Sequence, residues 1–342
     1  MSNVLGNKLD IVIQKILGGN LRNVAILTGA GVSCASGIPD FRSPGGLYDT
    51  LKPELITATD QQRQKLRNDP TQVVSIDMFS ENQFPYLEVR KPFILGTLKK
   101  IWKPTIAHYF LKLLHDKNLL RRIYTQNIDG LDSHLNIDDF VCYLHGTISK
   151  SSCEFCKHPC DHERFCDLVQ KNIKNIYDVD DVLSPKASSP IYCDYCHLPG
   201  LKPNTVLYGT SLPDDFYDCL SVDFPANVDL LIIAGTSLTV YPAAGLVSLT
   251  SPTATRLLIN RDAVGQDFRA EEGSSERGRE LRLDDPTSSD LFLQGDCDEI
   301  FLDLVIKLGW IDNLYTYVDC MAPSSQTLLR EAYARLGNRN GR

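Results

Sequence analysis

The sequence predicts an α/β fold, a Rossmann-like parallel sheet with helices on both faces, plus a small inserted zinc-binding module. Three observations predict it. Apolar runs at Val24-Ala25-Ile26-Leu27, Arg122-Ile123-Tyr124-Thr125, Asp229–Ala234 and Arg256–Ile259 alternate with segments of helical periodicity, the pattern of a parallel sheet covered on both sides. Each run stops at small or polar residues, and in such sheets ligands sit at the carboxyl ends of the strands. Residues 150–205 break the rhythm with two C-x-x-C pairs and a polar middle, Ser184–Pro190.

Each element has a local reason. Leu9, Val12, Ile13, Ile16 and Leu17 share one helical face over residues 8–17, and Gly18 stands where a C-terminal cap belongs. The strand 24–28 follows. Residues 57–72 are polar and read as exposed helix or loop. Pro104 and Thr105 open an amphipathic helix over 105–119, and Val141-Cys142-Tyr143-Leu144 leads into His145-Gly146. Residues 271–290 are charged and patternless, which predicts a mobile loop. Asp296 with Glu299 has the spacing of a capping box before a helix bearing Ile300, Phe301, Leu304 and Val305. Ser324 or Ser325 is expected to cap a last helix running through Leu336 and closed by Gly337. The implied organisation is a discontinuous dinucleotide-binding catalytic domain over 1–149 and 206–320, the zinc-binding module over 150–205, and a helical tail over 321–342.

Composition narrows the function. The chain has 342 residues and a net charge of −8, which argues against duplex nucleic acid as a specific partner and favours basic peptide segments. No apolar run is long enough for a membrane span. The first residues lack the basic and apolar regions of a secretory signal, so a cytoplasmic or nuclear location is expected. Eleven cysteines in such a setting point to metal rather than to a disulfide framework.

Cys153-x-x-Cys156 and Cys193-x-x-Cys196 offer four thiolates to one tetrahedral zinc ion, leaving no open position, so the ion is expected to be structural. His158, Cys160, His162 and Cys166 lie nearby as lower-ranked ligands. Gly29-Ala30-Gly31 after the first strand suggests bare backbone N–H groups for a pyrophosphate. The dehydrogenase fingerprint is broken, because its third glycine falls at Cys34, and no acidic residue ends a second strand about twenty residues on. Phe41 and Arg42 add an aromatic plate and a phosphate-pairing guanidinium. Gln126-Asn127-Ile128-Asp129 reads either as a ribose- and carboxamide-binding string or as an ordinary turn. His145 at a strand end is a candidate base, or a structural histidine. No G-x-S-x-G elbow accompanies it. Gly235-Thr236-Ser237 and Asn260 offer hydroxyl and amide groups to phosphate and ribose. The pattern suggests a dinucleotide that is consumed.

These stretches, with Gly37-Ile38-Pro39-Asp40-Phe41-Arg42-Ser43-Pro44, Thr125–Leu131, His145-Gly146, Gly235-Thr236-Ser237-Leu238, Ile259-Asn260-Arg261 and Gly295-Asp296-Cys297-Asp298, occur in one order over roughly residues 20–310. Together they resemble the sirtuins, the silent-information-regulator family of NAD-dependent protein-lysine deacylases. Pro104-Thr105 with His108-Tyr109-Phe110 resembles the class I-like deacetylases among them. The resemblance implies that Gly29, Ala30, Gly31, Ser33, Asp40, Phe41 and Arg42 contact NAD, and that Gln126 holds the nicotinamide ribose. It implies that Ile38, Asn127 and Asp129 hold the carboxamide, and that Gly235, Thr236, Ser237, Asn260, Arg261 and Cys297 border the phosphates and adenosine. His145 would be the general base, with Asn127 beside it. Val206, Leu207, Tyr208 and Gly209 would pair with an acetyl-lysine protein or peptide, histone tails and tubulin among the candidates. Closure of the loop 37–50 would dry the site. The implied products are free lysine, nicotinamide and O-acetyl-ADP-ribose.

The chain departs from the family pattern at Thr210, where a glutamate is usual, and at Leu207, where an aromatic is usual. The loops after Pro44 and between Asp132 and Val141 are short. No Tyr-x-x-Arg pair occurs near residues 48–62, which argues against acidic acyl groups. Mono-ADP-ribosyl transfer, or a preference for longer acyl chains, is the alternative reading.

Overall fold

A computed structural model describes residues 2–38, 46, 48–178, 180–266 and 280–340. Six parallel strands form the main sheet: β1 Val24–Thr28, β2 Leu120–Thr125, β3 Val141–Tyr143, β7 Leu230–Ala234, β8 Thr255–Asn260 and β9 Asp290–Gln294. Their order is β3-β2-β1-β7-β8-β9. β1 lies between β2 and β7 and is buried along its whole length, as expected for a strand with helices on both sides. The chain winds outward from β1 in two directions, so the sheet has a switch point at β1. A crevice there opens at the carboxyl ends.

Two apolar cores flank this sheet. One packs the helices Ser2–Leu17, Ile106–Asp116 and Cys297–Lys307 against alternate strand residues such as Val24, Ile26 and Ile123. The other holds Ala25, Leu27, Tyr124, Ile233 and Leu258 against Phe216 and Leu246. The period of two along each strand accounts for the division.

A second, antiparallel sheet contains β4 Gly146–Cys153, β5 Pro159–Cys160 and β6 Leu201–Thr205 in the order β5-β4-β6. Its core joins Ile148, Phe165 and Leu201 to Leu66, Phe79, Leu87 and Ile94. The cysteine-bearing segment therefore packs on the helices Asp60–Asn68, Ile76–Glu81 and Phe84–Leu98.

Several local expectations change. The polar stretch 57–72 is largely the helix Asp60–Asn68, started by a Thr59–Gln62 capping box. Asp296 begins the helix Cys297–Lys307 without a side-chain cap, because its carboxylate accepts from Arg261 Nε at 2.5 Å. Ser324 and Ser325 lie inside the helix Pro323–Asn340, which continues past Gly337. Ser324 Oγ donates to Ala35 O, and Ser325 Oγ to Asp298. Of the loop expected over 271–290, residues 271–279 lie outside the described residues. Its last part, however, buries Leu281 and opens β9.

Candidate active site

The loops after β1 and β7 meet backbone to backbone. Gly31 N donates to Gly235 O at 2.8 Å, and Gly29 N to Ala234 O at 3.0 Å. A Cβ on Gly31 would lie 2.5 Å from Gly235 Cα, so close approach requires glycine here. This corrects the reading of bare N–H groups for a pyrophosphate: the Gly29 and Gly31 donors are already bonded inside the protein. Ala30–Ser36 then forms a short 3-10 helix that ends at left-handed Gly37.

The Gln126–Asp129 string continues β2 into the crevice. Ser33 Oγ donates to Asp129 Oδ2 at 2.7 Å, and Leu131 N donates to Asp129 Oδ1 at 2.9 Å. Asn127 Nδ2 donates to Gly29 O and to Ser33 Oγ, both at 3.1 Å. Burial pushes the Asp129 carboxyl above its ordinary range, against the pull of the Leu131 and Ser33 bonds. These groups are fixed to one another before any ligand arrives. By contrast, the buried Gln126 Nε2 has no hydrogen-bond partner among the described residues, an orphan donor that a ligand hydroxyl would satisfy.

His145 lies between β3 and β4. Its Nδ1 is 2.9 Å from Gln126 O. A carbonyl only accepts, so Nδ1 carries the proton and Nε2 is the basic nitrogen of the neutral ring. Gly146 has φ +72°, and a Cβ there would strike Asn204 O at 1.8 Å. A glycine after the histidine is thus required for β4 to pair with β6.

On the far side of β1, Asn260 Nδ2 donates to Thr236 O at 3.3 Å, and Thr236 Oγ1 donates to Gln126 Oε1 at 3.4 Å. Burial pushes the Cys297 thiol up to about 12, which leaves it as a neutral wall. After β6, Val206 N donates to His145 O, Tyr208 N to Val74 O, and Ile76 N to Tyr208 O, each at 2.9 Å. Thr210 Oγ1 donates to Leu207 O at 2.7 Å.

These residues line one cavity of about 930 Å³. Around it stand Gly29, Ala30, Gly31, Ser33, Ile38, Gln126, Asn127, Asp129, His145, Gly235, Thr236, Ser237, Asn260, Arg261 and Cys297, together with Val206, Leu207, Tyr208 and Gly209. Asp40, Phe41, Arg42 and most of the loop 37–50 lie outside the described residues. The sequence reading missed Tyr86, Arg90 and Phe93 of the helix Phe84–Leu98, which line the cavity beside Leu207. Their signal was faint, because that helix has no polar face.

The sulfurs of Cys153, Cys156, Cys193 and Cys196 all lie within 4.8 Å of one another. Cys153 Sγ is 3.6 Å from Cys196 Sγ, and Cys156 Sγ is 3.7 Å from Cys193 Sγ. A tetrahedron with zinc–sulfur bonds of about 2.3 Å has sulfur–sulfur edges of about 3.8 Å, so the donor set fits zinc. Of the lower-ranked ligands, His162 Nδ1 bonds Ser151 Oγ, and His158 stacks on Tyr195.

The Sir2 family model matches residues 29–242. The chain is 37% identical over 306 residues to the NAD-dependent protein deacetylase sirtuin-2 of Danio rerio, covering 88% of this chain and 72% of that one. It is 33% identical over 328 residues to the NAD-dependent protein deacetylase hst2 of Schizosaccharomyces pombe, covering 94% and 82%. It is 37% identical over 293 residues to the NAD-dependent protein deacetylase sirtuin-3 of Mus musculus, covering 85% and 73%. The chain belongs to the Sir2 family.

Proposed function

We propose that the protein is an NAD-dependent protein-lysine deacetylase, passing the acyl group to ADP-ribose and releasing nicotinamide. One observation carries the reading. A histidine with its basic nitrogen set by Gln126 O shares a cavity with the Ser33–Asn127–Asp129 network and the strand-like segment 206–209. The relatives, each an NAD-dependent protein deacetylase by name, support it.

NAD supplies the electrophile, the ribose carbon that loses nicotinamide and takes the acyl oxygen. The protein's own groups do the rest. Asn127 and Asp129, held by Ser33 and Leu131, would hold the carboxamide. Gln126 Nε2 offers its unmatched donor to a ribose hydroxyl. His145 Nε2 accepts the proton of a ribose hydroxyl as that oxygen attacks the acyl carbon. Gly235, Thr236, Ser237, Asn260, Arg261 and Cys297 would border the phosphates and adenosine, with Asp40, Phe41 and Arg42 assigned to the same nucleotide by the family resemblance. The four cysteines would hold one structural zinc ion, their four thiolates leaving no open position for chemistry.

The net charge of −8 supports lysine-rich substrates, histone tails or tubulin segments among them. The test incubates the protein with labelled NAD and an acetyl-lysine peptide. Loss of the acetyl mass with release of nicotinamide is expected. Label on a protein side chain would indicate ADP-ribosyl transfer instead, and absence of turnover would overturn the reading.

A further inference from the structure

Two cysteines outside the zinc set stand together. Cys142 lies in β3 and Cys219 in the helix Asp214–Asp223, and neither belongs to the four-sulfur group. β3 and this helix are adjacent. The Cys142 thiol donates to Asp215 O at 4.0 Å. In an α-helix that carbonyl also takes the N–H of the residue four positions on, which is Cys219. Side chains lean towards the helix N-terminus, so Cys219 lies over the turn that Cys142 touches. The two thiols interact as hydrogen-bonding partners. Both pack in one apolar core with Leu212, Phe216 and Leu220. Cys142 is buried, whereas Cys219 is half-buried and open to a small reagent.

The elements that carry them border the cavity. β3 leads through Leu144 into His145. Leu212, just before the helix, and Tyr217 within it both line the cavity. The end of the helix is already anchored, because the buried Asp223 carboxylate accepts from Arg121 Nε at 2.7 Å, Arg122 Nε at 2.8 Å and Tyr124 Oη at 2.6 Å. The half that carries Tyr217 has no such clamp, and Cys142 is what it rests on. Arg122 acts on both thiols as a cation, which favours the thiolate form, while the Asp215 charge opposes it. Burial pushes the Cys142 thiol up, so the half-buried Cys219 reacts first.

We propose that Cys142 and Cys219 form a reversible disulfide with a hydroperoxide as oxidant, locking the helix Asp214–Asp223 onto β3 and with it the Tyr217 wall of the cavity. The Cys219 thiolate attacks the outer peroxide oxygen, the O–O bond breaks, and a sulfenic acid forms as water or an alcohol leaves. Cys142 sulfur then attacks Cys219 sulfur. The S–O bond breaks, and the hydroxyl leaves as water with the Cys142 proton. The peroxide is reduced by two electrons and the dithiol oxidised by two. Rotation of the two side chains closes the gap, since the elements already touch. The proposal goes beyond the deacetylase reading and stands whether or not that reading holds.

The test treats the zinc-loaded protein with a slight excess of hydrogen peroxide, quenches it with N-ethylmaleimide in denaturant, and digests it without reduction. Loss of the maleimide adducts at Cys142 and Cys219 is expected, together with a peptide that joins them and separates on adding dithiothreitol. The zinc content should not change. Hydrogen exchange over residues 206–223 should slow in the oxidised native protein and not in Cys219→Ser treated alike. Cys219 lies outside the cavity, so that variant should match the native protein before oxidation. Because the native cross-link needs no variant, a misfolded Cys219→Ser leaves the question decidable. Sulfinic acid at Cys219 with Cys142 still alkylated would overturn the pair, as would loss of zinc before any cross-link forms. A cross-link with unchanged exchange would overturn the locking of the helix.

Discussion

Because the Gln126 carbonyl can only accept, the His145 ring holds its proton on Nδ1 and presents Nε2 as its base. The His145 ring is half-buried and lines the cavity, so removing it should leave the fold in place. His145→Ala is expected to lower kcat by about 10²- to 10⁴-fold with an unchanged circular-dichroism spectrum, and near-native turnover would exclude the base role. Asp132 makes a different point. It is buried behind Asp129, its Oδ1 has no partner among the described residues, and burial with the Asp129 charge pushes its carboxyl up to about 7. Unfolded, it would ionise near its ordinary value of about 3.9. The native state therefore holds the extra proton between those values. The stability this gives is complete below about pH 4 and is lost as pH rises towards 7. Asp132→Asn removes the titration. Its melting temperature should fall less between pH 5 and 8 than that of the native protein, a difference of about 1–3 kcal/mol at pH 8. Parallel melting curves would show that Asp132 ionises near its ordinary value in the folded protein, relieved by water.

At the level of elements, β4 and β6 bring the two C-x-x-C turns together, and their core is shared with the helix Phe84–Leu98. Zinc binding there is folding energy. Cys153→Ser is expected to lose one equivalent of zinc by mass spectrometry. It should also speed hydrogen exchange in β4, β6 and that helix while β1 and β7 stay protected. Retention of the metal would point to a substitute ligand, with Cys160 first. The same elements show what a sequence reveals. β1, β7 and β8 were legible because fully buried parallel strands are continuous apolar runs. β9, an edge strand of only Asp290–Gln294, follows a charged stretch and was lost in it. The helix Phe84–Leu98 was illegible for the opposite reason. Ten of its residues are buried on all sides, with Pro92 inside, so neither an apolar stripe nor an unbroken period marks it. The part of the cavity built from strand ends could be read from the chain. The wall of the cavity formed by Tyr86, Arg90 and Phe93 of that helix could not.

Across the whole molecule, the sheet is held at its far edge by a buried ion pair between neighbouring strands. Arg256 Nε donates to Asp290 Oδ1 at 2.8 Å and Nη2 to Asp290 Oδ2 at 2.5 Å, and both side chains are fully buried. Burial pushes the Asp290 carboxyl upward, but Arg256 and the Arg282 N–H hold it below its ordinary range. Asp290→Ala leaves Arg256 as an uncompensated buried charge. It should cost about 3–5 kcal/mol in urea denaturation, with β9 and the adjoining Gly295–Cys297 wall of the cavity loosening first. A cost under 1 kcal/mol would mean that water replaces the carboxylate.

The meeting of Gly31 with Gly235 also sets an order of events during synthesis. β1 leaves the ribosome early, yet the partner on one of its flanks, β7, is made roughly two hundred residues later, and long-range parallel pairing is slow to form. For most of translation the nascent chain holds an apolar strand with one side open and a Gly29–Gly31 loop with nothing to dock against. Such a chain invites chaperones, and protein cut short before residue 230 would be born without a binding cleft, a target for proteolysis rather than a partly active enzyme.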